Sequence, residues 1–375
     1  MRFSRKLIVA TLLSVPALSY GETKHYLYVT NDAKATIDIF DIDNNHAKVR
    51  SFDISSGESG KRRIRGITGH AGTGRIFISD SDDKFIAAYD LLTDKMIWKK
   101  TYEDCDFPDR LNATTDGSVV FVPCKTSDTH MVIDANTGDV IKTIPMPKTP
   151  HNTFTGETGK YMYLSAKNST TLFLADPNTF EKVGEISGFS SGIRPFSVDQ
   201  EERFAFMTMT KTLGFGVGDI TNQQKLFEVS IETPKERTQN KKAEAPRTHG
   251  GKPLSHGIAV RPNSKEVWFI DDAWGYLYVF DTSPLYQTQP EQPVHLASVP
   301  LFDDITKIWT KDRWRWVAFS ADGKYAYPAA GYVIDANTKK KTDMKITPSE
   351  KLIEVDFEDG KPVAVSGQNG GFYKD

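Results

Sequence analysis

The sequence predicts an all-β chain closed into a seven-bladed β-propeller, and three observations carry that expectation. First, short apolar runs ending in aspartate recur at Asp41 (IFD), Asp90 (AYD), Asp134 (VID), Asp176 (LAD), Asp219 (GVGD), Asp281 (VFD) and Asp335 (VID). Their intervals lie between 42 and 62 residues, and a period in the forties belongs to propellers and comparable arrays. Second, the segments alternate with period two and are rich in Val, Ile, Tyr and Phe, which disfavours helical repeats. Third, the ends are complementary. The chain opens on a strand of the second type, HYLYVT, and KLIEVDF at 351–357 fits the absent first strand. Pairing the two closes the ring and removes an exposed sheet edge.

In chain order, residues 1–21 read as a signal peptide. Arg2, Arg5 and Lys6 precede the apolar run LIVATLLSVPALS, and Ser19 and Gly21 supply small residues at −3 and −1 of a cleavage point. A run of about 13 residues is short for a bilayer span, no later segment is long and apolar enough, and no Cys sits near the cleavage point to carry a lipid. The expectation is an exported protein, periplasmic or secreted, with no membrane span after cleavage. The whole chain carries a net charge of −2; losing a leader with three cations and no acids leaves about −5, which argues against a general nucleic-acid binder. Residues 22–375 are expected to form one propeller domain, because the repetition overrides a division by length.

Each unit reads as four strands. In the sixth they are GIAVRP, EVWFID, YLYVFD and VHLASV. The third is the most continuously apolar, as expected where neighbouring blades cover both faces. The recurring Asp begins the turn into the fourth strand, where its carboxylate can accept from backbone N–H groups two residues on. Its role is therefore structural. PVAVSG, at 362–367, is left over, so an eighth blade or a doubled strand stays open beside the count of seven.

Tyr28-Val29-Thr30-Asn31, together with the Val-Ile-Asp strands and Asn-Thr-Gly turn, resembles the YVTN-repeat β-propellers across essentially the whole mature chain. The wider superfamily includes amine-dehydrogenase propeller subunits, lactonase-like enzymes and exported binding proteins. The resemblance therefore implies a fold, not one activity.

First strands of propeller blades line the axial channel. Aligning their beginnings places Arg65 opposite His256, with Arg194 and Arg315 at the same distance from the following strand. His151 and Arg110 fit within a residue. The closing blade, near Ile353 and Glu354, shows no cation. Two unit charges about 8 Å apart repel by roughly 2 kcal/mol at an effective dielectric near 20, so Asp109 and Glu354 are expected to neutralise part of the ring. The expected ligand is a small molecule bearing a carboxylate or phosphate, or an acidic protein surface, held by forked Arg contacts. His151 and His256 would donate when protonated, so binding would weaken as pH passes through the histidine range and as salt increases. Residues 232–254 form a polar, basic insertion, read as a lid, a docking loop or a tolerated surface segment. SPLYQTQPEQPVH reads as a plain loop. Cys105 and Cys124 flank neighbouring strand ends of one blade, and with an export leader they are assigned to a disulfide.

Other chemistry fails on context. Gly188-Phe189-Ser190-Ser191-Gly192 has the spelling of a nucleophile elbow but leads into a strand, not a helix. The histidines and cysteines lack metal-ligand spacing, and no phosphate-cradling loop or haem attachment motif occurs, so neither metal nor cofactor is expected. Trp314 and Trp316 are assigned to packing between blades, with stacking on a ligand as the alternative. The favoured reading is a binding protein with its site at the basic mouth. One rival, drawn from the lactonase resemblance, makes His151 or His256 a general acid or base and has Arg194 or Arg315 stabilise developing charge. Another, drawn from the amine-dehydrogenase resemblance, is a non-catalytic subunit beside a periplasmic redox partner. A third is a scaffold whose channel is structural only.

Overall fold

The recurring aspartates explain why the strands turn where they do. In the computed structural model, all seven accept backbone N–H bonds from the turn they open. Asp134 Oδ1 accepts from Asn136 N at 2.8 Å and Thr137 N at 2.9 Å. Asp335 repeats this with Asn337 at 3.0 Å and Thr338 at 2.7 Å. Asp90 and Asp176 bond two turn N–H groups in the same way, and Asp41, Asp219 and Asp281 bond one each. In every turn except the one after Asp281, a left-handed residue follows four positions on, Gly138 at φ +72° and Lys339 at φ +58° among them.

The structure describes residues 22–54, 63–232, 254–271, 275–301, 316–368 and 370–374. Within them, seven antiparallel sheets form the blades of a propeller. The inner strands are Ile64–His70, Asn112–Ala113, Pro150–Thr155, Ile193–Val198, Ser255–Val260, Val317–Phe319 and Leu352–Glu358, belonging to blades 2 to 7 and the closing blade. The expected closure is present. Leu352–Glu358 pairs antiparallel with Thr23–Asn31, with Tyr26 opposite Val355. Burial follows blade geometry: the first three strands are almost wholly buried, whereas fourth strands such as Val140–Pro145 and Lys182–Ile186 are mostly exposed. Aromatic side chains fill the spaces between blades. Phe206 and Phe215 of blade 5 meet Phe269 and Phe280 of blade 6, and each fully buried Phe contributes on the order of 2–3 kcal/mol.

The leftover C-terminal segment forms no eighth blade. Lys361–Ser366 and Phe372–Lys374 extend the closing sheet inward from Leu352–Glu358, making it six-stranded. Val365 packs with Ile67 of blade 2. A Cβ built at Gly370 would lie 3.2 Å from Ser197 of blade 5 and 3.7 Å from Phe154 of blade 4. A segment touching inner strands on such different sides runs along the axis. Gln368, 2 % exposed, fastens it. Its Oε1 accepts from Ile67 N at 3.1 Å, its backbone oxygen accepts from Trp316 Nε1 at 3.1 Å, and its Nε2 donates to Glu350 O at 3.3 Å.

The segment expected to be a plain loop is more ordered than that. Ser283–Tyr286 is a 3-10 turn, and Tyr286 donates to Asp199 Oδ2 at 2.5 Å and packs edge-on against Phe204 at 5.0 Å, joining blades 5 and 6. Among the described residues no helix is long and apolar enough to cross a membrane. The leader at 1–21, insertion residues 233–253, Trp314 and Arg315 lie outside the described residues.

Candidate functional site

Four of the six cationic candidates hold the same position in their blades. Arg65, His151, Arg194 and His256 are each the second residue of an inner strand. In each strand the register slips there: Arg65 and His151 are the extra residues of β-bulges, and shifts also follow Ile193 and His256. A bulge re-aims a side chain that regular pairing would hold against the neighbouring blade. Arg110 precedes the short inner strand of blade 3 and reaches blade 4 by a parallel bridge to Asn152.

Asp109 is the centre on which three of these residues meet. It is fully buried. Arg65 donates to its Oδ1 from Nε at 3.1 Å, with Nη2 at 3.0 Å, and Arg110 Nη1 donates to the same oxygen at 3.3 Å. His151 Nε2 lies 3.9 Å from Oδ2, and Lys125 Nζ lies 3.6 Å from it. The backbone is gripped from three blades: Ser79 Oγ donates to Asp109 O, Asp109 N donates to Pro123 O, and Thr153 N donates to Arg110 O. Gly66 permits the approach, because a Cβ there would come within 2.9 Å of Leu111 N and 3.1 Å of Arg110 Cα. Burial alone would raise the Asp109 pKa, but Arg65, with Arg110 and Lys125, holds it well below the usual carboxylate range.

A second carboxylate continues the network. Glu350 Oε2 accepts from Arg110 Nη2 at 2.8 Å, and the Arg110 guanidinium lies 4.6 Å from the Trp316 ring centre. His256 joins edge-on, 6.1 Å from Trp316 and 6.4 Å from His151 between ring centres. Burial opposes ionisation of Glu350, yet Lys351, Arg110, His256 and Arg65 keep its pKa low. Lys351 itself lies 3.6 Å from Asp32, and burial lowers its pKa. Arg194 donates from Nε to Thr210 Oγ1 of its own blade at 3.1 Å.

The arrangement differs from a bare cationic ring in three ways. The closing blade does bring a cation, Lys351, and a carboxylate, Glu350. Glu354 does not neutralise the mouth: its Oε2 accepts from Ala321 N at 2.8 Å, and it lines a cavity of about 670 Å³ at the opposite end with Asp43, Glu157, Asp322 and Asp356. His151 is not a ready cation, because burial first, and then Arg110, Lys125 and Arg65 against the opposing pull of Asp109, hold its pKa well below the normal imidazole value. It stays neutral through the histidine range and carries none of the expected pH dependence there.

The part of the network open to solvent lies beside Phe107. Its ring has Lys125 Nζ at 4.5 Å and the guanidiniums of Arg65 and Arg63 at 5.4 and 5.7 Å. The Arg65 and Lys125 side chains are 12 % and 21 % exposed, whereas that of Arg110 is 2 % exposed. Arg110 thus braces the site from beneath, and Arg63, Arg65 and Lys125 face outward. The Cys105–Cys124 disulfide, with Cα atoms 4.9 Å apart, borders this corner. Beside it Lys125 N donates to Phe107 O at 3.0 Å. Lys125, Phe107, Glu350 and Lys351 escaped an alignment of first strands because none lies on one. The disulfide was the available signal, since joining Cys124 to Cys105 brings Lys125 beside the Asp109 segment. Ser190 sits in no nucleophile elbow: its N–H donates to Glu228 Oε1 and the strand Ile193–Val198 follows. Among the described residues no cluster of His, Cys, Asp and Glu could hold a metal ion.

No protein-family model matches the chain, and no curated protein matches it. Among solved structures it is similar to hydrazine synthase from Kuenenia stuttgartiensis, at 17 % identity and a TM-score of 0.46, over 78 % of this chain and 99 % of that one. That distance transfers no activity.

Proposed function

We propose that this chain is an exported, YVTN-like propeller that binds a small anionic ligand at the basic mouth of its axis. The observation that carries the reading is the convergence of Arg65, Arg110 and Lys125, from two blades, on the single carboxylate of Asp109. Around them Lys351 adds a cation and Glu350 and Asp32 two carboxylates, so the cations outnumber the carboxylates by one. The outward donors of Arg65 and Lys125, joined by Arg63 over Phe107, suit a carboxylate or phosphate. The ligand is expected to be small, because the inner groups are already engaged with one another. The Cys105–Cys124 disulfide supports an oxidising compartment, periplasmic or extracellular, in agreement with the leader-like residues 1–21.

Calorimetric titration of the mature protein with a panel of small carboxylates and phosphates tests this reading. Binding should fall at least tenfold in Arg65→Ala and weaken with added salt, since these donors are partly solvated. Unaltered affinity in Arg65→Ala, with the fold intact by circular dichroism, would place the ligand elsewhere.

A further inference from the structure

We infer that Lys125 is a covalent attachment site, its amine condensing with the carbonyl of a small oxo acid whose carboxylate is held by Arg65. The inference rests on the anion-binding reading and names the ligand class for the same mouth.

Three features single out this lysine. Arg65 and Lys125 address opposite oxygens of one carboxylate: Arg65 Nη2 is 3.0 Å from Asp109 Oδ1, and Lys125 Nζ is 3.6 Å from Oδ2. Both cations also lie over the Phe107 ring. A ligand carboxylate engaging the outward side of Arg65 therefore directs a carbonyl one or two carbons away toward Nζ. The lysine is also pre-positioned, because its backbone is bonded to Phe107 O and the preceding residue is bridged to Cys105. Finally, Asp109 Oδ2 is buried and has no hydrogen-bond partner among the described residues. It faces the point where positive charge develops on Nζ.

The protonation state fits. Burial, with Arg65, Arg110 and Lys167 against the opposing pull of Asp109, lowers the Lys125 pKa to about 8. A useful fraction of the amine is thus neutral near pH 7.5, as an imine-forming lysine requires. Arg63 adds a further nearby cation across Phe107. In the reaction the neutral Nζ lone pair attacks the carbonyl carbon, and the oxygen takes up the proton released by nitrogen to give a carbinolamine. A second proton on that hydroxyl lets it leave as water. The product is a protonated imine whose charge faces Asp109. No redox partner is needed.

Sodium pyruvate with sodium cyanoborohydride is the probe, because hydride addition fixes the imine as a stable secondary amine. Intact mass should show one adduct per chain, and peptide mapping should place it at Lys125. The trapping rate should reach half its maximum near pH 8. Lys125→Arg should lower the adduct at least tenfold, and a thermal melt should show that it remains folded. Labelling spread over surface lysines, or undiminished in Lys125→Arg, would overturn the inference. Calorimetry with pyruvate and with carbonyl-free propionate separates the two readings. Heat from both without an adduct at Lys125 overturns the imine and leaves anion binding standing; heat from neither overturns both.

Discussion

Replacing Asp109 by Asn tests the network at its centre. The substitution keeps shape and one hydrogen-bond acceptor but removes the charge that Arg65, Arg110 and Lys125 share at 3.0, 3.3 and 3.6 Å. Each contact is worth on the order of 5 kcal/mol of gross attraction at an effective dielectric near 20. Most of that total is offset by the cost of burying the carboxylate. Removing one partner from a buried ion pair typically costs about 3–5 kcal/mol, because the remaining charge stays buried and unpaired. Asp109→Asn should therefore lose about that much stability in urea unfolding at pH 7.5. Its folded pKa lies below the unfolded value, so the contribution of Asp109 is fully present above about pH 5 and is lost as pH falls through the depressed folded value. The gap between variant and wild type should accordingly narrow in acid. The variant should also recover stability with sulfate beyond the general salting effect measured on wild type, since an anion beside the partly exposed Arg65 and Lys125, no longer neutralised from beneath, acts by mass action, about 2.7 kcal/mol at a hundredfold excess over its dissociation constant. A loss below about 1 kcal/mol, or no sulfate response beyond that of wild type, would refute the idea that this carboxylate holds the cations together.

Other perturbations address separate parts of the molecule. Burial lowers the pKa of His46 to about 4 and of His130 to about 3, so the unfolded chain takes up protons below pH 6.5 that the native chain refuses. Stability from these two should be full above pH 6.5 and fall by about 3 kcal/mol each by pH 4; His130→Asn should flatten the dependence of the urea midpoint on pH. Gly66→Ala should cost about 1–3 kcal/mol and weaken ligand binding, because its Cβ must displace the Asp109–Arg110 backbone; an unchanged melting temperature counts against that close approach. Removing the disulfide in Cys105→Ala/Cys124→Ala should cost about 3 kcal/mol for a loop of this size, read by urea unfolding. Gln368→Ala strips both side-chain hydrogen bonds from the axial segment while keeping the backbone acceptor for Trp316, so exchange at the Ile67 amide should accelerate at least tenfold.

What was legible in the sequence was whatever repeats. Asp134 and Asp335 carry the same Asp-Ala-Asn-Thr turn because the same two N–H bonds recur two and three residues on. The alignment that paired Arg65 with His256 worked because both occupy the second position of an inner strand. Features present once were beyond it. The axial segment after Glu358 has no counterpart in the other blades, so periodicity could suggest only an extra strand. Bulges insert residues that sequence spacing does not reveal, and they decide where Arg65 and His151 point. The titration of His151 depends on burial, which residue type leaves open. Glu354 illustrates the limit most clearly: it lies only two positions from the mouth-proximal Leu352, yet strand direction carries it to the opposite cavity.

The axial segment also changes what the channel can be. Gln368 ties blade 2, blade 7 and the approach to the closing strand immediately beneath Arg110 and Trp316. The basic cluster around Asp109 and the carboxylate-lined cavity are therefore of opposite character, with the Gln368 segment fastened between inner strands on the axis. Cations at the mouth do not repel one another as a bare ring would, since Asp109 and Glu350 stand between them. On the proposed anion-binding reading, an arriving anion meets a network already close to balance. Its affinity must come from the solvent-facing donors of Arg63, Arg65 and Lys125, not from relief of strong mutual repulsion. That places selectivity in geometry: the spacing between a fixed guanidinium and an amine held by a disulfide-bordered backbone, over one aromatic ring. A ligand offering two oxygen functions at that spacing uses both, whereas a simple monovalent anion uses one.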